Sequence, residues 1–239
     1  MTASRNRRFL LFLVLQLFVV CNVVAQTSDS ANEFWPALDA TFDLRPKTRL
    51  LVYAEKHDGE DVSLSQWNLG AILSYRMSRI LKRHLTDIDE ENEYNLVIGG
   101  GYQFVETKQN DSTKRENRLI LQGTPKYILG GGFLLQDRSR VEFRWIDGKY
   151  NFRYRNKLTV NRPFEINKFR FTPYTSGELF WDRNHHSWDE NQYAFGVQIP
   201  YKKLLMVDSY YLHQNCTTCS PASVNVFGVT LNLYFHRKK

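Results

Sequence analysis

Arginine and glutamate recur at every second position along two consecutive stretches of this chain, and that spacing is where chemistry is first legible. From Arg138 the sequence runs RSRVEFRW, turns through Ile146-Asp147-Gly148-Lys149, and resumes as FRYRNKLTV to Val160. Successive side chains of a β-strand point to opposite faces, so a period of two sorts them. Arg138, Arg140, Glu142 and Arg144 share one face, against Val141, Phe143 and Trp145. After the turn Arg153, Arg155 and Lys157 oppose Phe152, Tyr154 and Leu158. Glu116, Arg118, Arg170 and Glu178 fall on the same kind of face in neighbouring segments. Two arrangements use such a ladder. In a water-filled lumen, charged walls attract anions and set ion selectivity. In a narrow lumen, arginine forks pair with carboxylates, fill the interior and brace it. Both remain open at this level.

Other residues suggest chemistry more weakly. His185 and Ser187 stand two apart in His185-His186-Ser187, the spacing that places a base and a nucleophile on one strand face, with Glu178 or Glu190 available to orient the base. Trp188 follows where a lipid hydrolase of the outer membrane carries small polar residues, so a solvated loop accounts for the segment better than catalysis. A third ligand at a fitting spacing is missing for a zinc site at the two histidines, and no cofactor motif occurs. Gly99-Gly100-Gly101 lacks the helix start of a phosphate loop. Cys216 and Cys219, in Cys-Thr-Thr-Cys, lack the βαβ setting of a redox pair and read as a disulfide pinning a polar loop in an oxidising compartment.

Strands of alternating character must carry the ladder. They are expected at 34–44, 49–56, 65–76, 94–106, 116–129, 133–145, the stretch ending at Val160, 169–181, 192–201, 204–213 and 224–235. Residues 80–85 are ambiguous, 87–93 is an acidic run read as a solvated loop, and 182–190 is read as a long loop. One face of these strands is apolar and the other is charged or small. That is the pattern of an antiparallel transmembrane β-barrel, with lipid outside and a wet lumen inside. Bacterial single-chain barrels carry even strand numbers with both ends on one side. Counting 80–85 as a strand gives about 12, and losing one gives 10. Trp35, Trp67, Trp145, Trp181 and Tyr201 lie near predicted strand ends, as girdle residues at the membrane–water boundary do. The rival is a soluble sandwich with these aromatics in its core.

The N-terminus argues for export. Arg5, Arg7 and Arg8 precede an apolar run from Phe9 to Val20, and Val23-Val24-Ala25 offers a cleavage site before Gln26. The expected organisation is a signal peptide over 1–25, a polar lead-in over 26–33, a barrel over 34–235 and a basic tail over 236–239. No later apolar run reaches the ~18 residues that a spanning helix needs, and the mean hydropathy of −0.47 suits a barrel, in which only alternate residues meet lipid. Removing the three leader arginines leaves 29 basic against 25 acidic residues and lowers the net charge from +7 to +4. The remaining basic residues alternate with apolar ones and form no solvated patch of the kind that binds nucleic acid.

From about Phe34 to Phe235 the chain resembles the bacterial outer-membrane family known as domain of unknown function 2490. The residues that carry the resemblance are Glu116-Asn117-Arg118, the run from Arg138 to Arg144, Arg153 to Leu158, Tyr174 to Glu178, Asn191-Gln192-Tyr193 with Gly196, and Tyr211 to Gln214. The resemblance implies a signal peptide and a barrel in the outer membrane of a Gram-negative bacterium. It implies no reaction. The closing strand, with Phe227, Val229, Leu231, Leu233 and Phe235 alternating, resembles the signal read by the barrel-assembly machinery, although four residues follow its terminal aromatic. The partners expected are therefore outer-membrane lipid and that machinery. The functions in contention are a narrow pore for small polar or anionic solutes, a structural barrel with a filled lumen and, least supported, a lipid hydrolase.

Overall fold

A computed structural model describes residues 30–59, 64–82, 85, 89–109 and 112–236; the expected signal peptide and residues 237–239 of the basic tail lie outside them. The described chain is almost entirely strand: β1 (Ser30–Arg45), β2 (Thr48–Gly59), β3 (Leu64–Met77), β4 (Leu96–Gln109), β5 (Ser112–Leu129), β6 (Phe133–Ile146), β7 (Lys149–Asn161), β8 (Phe164–Ile166), β9 (Phe169–Asp182), β10 (Ser187–Tyr201), β11 (Leu205–Cys216) and β12 (Ser223–Phe235). No described helix is long and apolar enough to cross a membrane. Neighbouring strands pair antiparallel from β1 through β7, then β7 with β9, and β9 onward to β12. The three-residue β8 pairs only with β9 and stands outside the wall.

The sheet closes on itself. β1 lies beside β12, and this pair is parallel, with Ser30 opposite Ser223 and Phe42 opposite Phe235. The barrel therefore has eleven strands, which corrects the expectation of about 12 or 10. Two readings failed together. None of the described residues in 80–85 is in a strand, because Ser78 takes a left-handed backbone (φ 50°) that ends β3. The premise that both chain ends share one side fails as well, since eleven alternating strands must begin and end pointing the same way. The wall also starts before the barrel boundary expected at 34, because β1 opens at Ser30, inside the lead-in expected over 26–33. The loop expected over 182–190 shrinks, because β10 opens at Ser187.

The faces sort as a period of two requires. Leu121 is 56% exposed and Phe195 52% on the outside, while Glu142 at 0% and Arg76 at 2% are buried inside. This inversion of ordinary burial separates the protein from a soluble sandwich. Aromatic collars ring both ends. At the rim where β1 begins, Phe152 packs against Phe143 and Trp181, and Trp145 against Tyr150. At the rim where β12 ends, Phe171 stacks on Phe164 and Phe169. Trp35 is a correction to the girdle: its side chain points inward, stacks on His57 and donates to Glu33 at 2.6 Å. A polar break interrupts the apolar outer band where Asn156 donates to Asp137 at 2.7 Å and Ser139 bonds Tyr154 at 3.0 Å.

Inside, three tyrosines lie over glycines directly opposite them on the adjacent strand: Tyr53 over Gly70, Tyr174 over Gly196 and Tyr210 over Gly228. A Cβ at any of these glycines would overlap the ring. The tyrosines thus fill the lumen while the glycines let the wall curve.

Candidate functional site

The charged ladder is assembled by four adjacent wall strands, β5, β6, β7 and β9. Glu116 accepts from Arg118 at 2.6 and 2.9 Å and also from Arg144, which reaches Asp182 at 3.0 Å on its other side. Glu142 accepts from Arg153 at 2.8 Å and Arg155 at 3.1 Å. Glu178 accepts from Arg155 at 2.8 Å and Arg138 at 2.9 Å. Each glutamate thus bridges two arginines from different positions, and the forked guanidinium makes that sharing geometrically cheap. Arg153 and Arg155 also lie over the Phe180 ring, at 5.3 and 4.4 Å from its centroid. Arg140 differs. Its two donors go to the neutral Gln122 at 3.0 and 2.6 Å, and its nearest carboxylate, on Glu142, is 4.0 Å away.

Arg170 does not join this network. It is paired with Glu165 of β8 at 2.6 Å and is half exposed at the rim. The parity of Arg170 is that of the ladder, but its position at the start of β9 puts it at the mouth of the lumen, away from the paired glutamates. Lys157, Gln122 and Asp182 belong with the ladder. Lys157 and Gln122 were legible, since Lys157 continues the alternation of Arg153 and Arg155 and Gln122 that of Glu116 and Arg118; Asp182, expected in a loop, needed the strand register.

The interior holds two cavities. One, of about 960 Å³, opens toward the rim where β12 ends, and the other, of about 880 Å³, toward the rim where β1 begins. Arg138, Arg140, Lys157, Tyr174 and Asp208 line both, together with Leu51 and Ile72. Both spaces thus border one waist, with a basic wall on β6 and β7 and an acidic group, Asp208, on β11.

Of the acidic run expected to be a solvated loop over 87–93, the described residues, 89–93, instead pack across one mouth. A single 3₁₀ turn, Glu90–Glu93, is capped by Asp89, whose side chain accepts from the Glu91 amide. Arg49 binds Asp89 and lies 3.5 Å from Glu91, and Lys126 reaches Glu91 at 3.2 Å. Tyr94 is buried behind the turn and donates to the Pro46 carbonyl at 3.0 Å. Burial raises the pKa of the Asp89 carboxyl, but Arg49 and Lys126 outweigh it and hold the group below its ordinary 3.8. At the edge of the turn, the hydrogen bond to Glu93 raises Arg79 above its usual value.

The weaker candidates are placed as follows. His185 sits in the β9–β10 turn, 3.8 Å from Asp189, and Ser187 is exposed at the start of β10. Glu178 is committed to Arg138 and Arg155, and Glu190 hydrogen-bonds Gln192, so neither orients His185. Cys216 and Cys219 are joined by a disulfide between β11 and β12. Among the described residues no group of three or more His, Cys, Asp or Glu is placed to hold a metal.

A closed β-barrel with an apolar exterior and an ion-paired interior defines the class to which this protein belongs. More particularly, the chain belongs to the family described as protein of unknown function (DUF2490), whose model matches residues 32–224. Comparison with curated proteins finds no match.

Proposed function

We propose that this protein is an outer-membrane barrel of a Gram-negative bacterium, exported by its leader and inserted by the barrel-assembly machinery, whose lumen is a narrow passage for small polar or anionic solutes. Support for the membrane comes from the outer face. Every wall strand has 12 to 18 residues, more than the ~9–11 that a tilted strand needs to cross. The exposed residues at mid-strand, such as Leu73, Leu119, Leu121 and Leu231, suit hydrocarbon and cost free energy in water.

The observation that carries the passage is that the two cavities, one toward each rim, share lining residues midway through the barrel. The basic wall there favours anions. The arginine–glutamate bridges hold that wall rigid instead of filling the space. A sealed structural barrel is the second reading, favoured by the Glu90–Glu93 turn lying across one mouth.

Single-channel recording of refolded protein in a planar bilayer separates the two. The passage predicts steady conductance with anion preference, and a weaker preference in Arg140→Ser. A silent bilayer containing demonstrably inserted protein would refute the passage and leave the sealed barrel.

A further inference from the structure

At the waist two cations, Arg140 and Lys157, make no hydrogen bond to a carboxylate. The register sets Arg138 directly opposite Lys157 and Arg140 opposite Arg155 across β6 and β7. Like charges at such positions, with Cβ atoms about 5 Å apart, repel unless something neutralises them. Glu142 and Glu178 are already shared among Arg138, Arg153 and Arg155. Arg140 hydrogen-bonds only the neutral Gln122 and lies 4.0 Å from the Glu142 carboxylate, and among the described residues Lys157 makes neither a hydrogen bond nor an ion pair. Across the lumen Asp208 accepts from Tyr174 at 3.0 Å and Gln198 at 3.1 Å, and it forms no ion pair with either cation.

Two further donors nearby are unused. Arg138 Nε and the Tyr53 hydroxyl are buried without a hydrogen-bond partner, and both residues line the same cavity as Arg140 and Lys157. Buried donors of this kind ordinarily find a partner. Two cations without carboxylate hydrogen bonds, beside spare N–H and O–H donors along one cavity, suit a compact, doubly charged acceptor.

We propose that Arg140 and Lys157, with Arg138 and Tyr53, form a binding site for a phosphate-type oxyanion at the waist that both cavities border. Arginine supplies a planar fork, lysine a point charge, and the phenol a neutral donor, a combination suited to tetrahedral oxygens. The proposal rests on the water-filled lumen of the preceding section but not on conduction through it.

The test is calorimetric titration of inorganic phosphate into the full refolded barrel in micelles at low ionic strength, where such attraction is least screened. Saturable binding of one phosphate per barrel is expected, weakened at least tenfold in Lys157→Gln and in Arg140→Gln, and changed less than twofold in Arg170→Gln. Lys157→Gln removes no bond within the protein, so it carries the test if Arg140→Gln fails to fold. Folding of each is checked by heat-modifiable gel mobility. Absence of phosphate binding to folded protein, or equal binding by the wild type and Lys157→Gln, would overturn the site. Phosphate binding with the expected losses in a barrel that conducts nothing would refute the passage and uphold the site. Conductance without phosphate binding would do the reverse.

Discussion

Glu142 has no exposed surface, and its carboxylate receives the Arg155 guanidinium at 3.1 Å while holding Arg153 through its other oxygen. A buried carboxylate that serves two cations is a keystone of the wall: removing it strands Arg153 and leaves Arg155 with Glu178 alone. Glu142→Gln keeps the volume and removes the charge. The expected cost is about 3 kcal/mol, the size seen when one partner of a buried pair is lost. Urea unfolding of the folded barrel in micelles measures it. A midpoint within error of wild type would mean that lumen water already screens the pair.

Gly228 tests the curvature of the wall. Tyr210 lies over it so closely that a methyl group would meet the ring. Gly228→Ala should destabilise by about 1–3 kcal/mol through overpacking, and adding Tyr210→Ser should recover most of that loss. A double variant no more stable than the single would place the defect in the backbone and not in the contact.

Leu121, at the middle of β5 and 56% exposed, distinguishes lipid from water outside. In a bilayer Leu121→Arg should cost about 2–4 kcal/mol, read as reduced folding yield into vesicles. A soluble protein would tolerate the charge with little change. Heat-modifiable mobility of the wild type is the accompanying check.

Acid should release the turn across the mouth. The carboxyl of Asp89 has its pKa lowered in the folded protein, so its bond to Arg49 contributes stability that is fully present above the unfolded value of 3.8. That contribution is lost as pH falls from there through the folded pKa. Hydrogen exchange at the amides of Glu91 and Asn92 should therefore accelerate below pH 4 relative to the trend of the barrel strands. Asp89→Asn should show fast exchange already at pH 7 and lose the acid step.

The alternation of residues carried most of this architecture. Arg138 to Val160 could be assigned to a charged and an apolar face before any pairing was known, because the period of two is local. Strand count is not local. Residues 80–85 and 164–166 both have the composition of short strands, and only the three-dimensional pairing shows that the described residues of the first do not join the sheet and that the second forms a flap. The same limit hid the waist. That Arg140 meets Gln122 while Arg155 meets two glutamates follows from register, and register is set by turns such as Asp147-Gly148. Trp35 misled for another reason. Aromatics near strand ends suit a lipid boundary on one parity and a rim interior on the other, and Trp35 falls on the inward parity with His57.

The parallel junction of β1 and β12 has a consequence for sidedness. Each antiparallel hairpin returns the chain to the side it left, but eleven crossings do not. Residue Ser30 therefore enters at one rim, with the Cys216–Cys219 loop, and Phe235 leaves at the other, beside Asp43 and the acidic turn. In a cell envelope, the two ends of the folded chain would face different compartments. An epitope placed ahead of Ser30 and one placed behind Phe235 would then be stained from opposite sides, and a single reagent that cannot cross the membrane would find only one of them on intact cells.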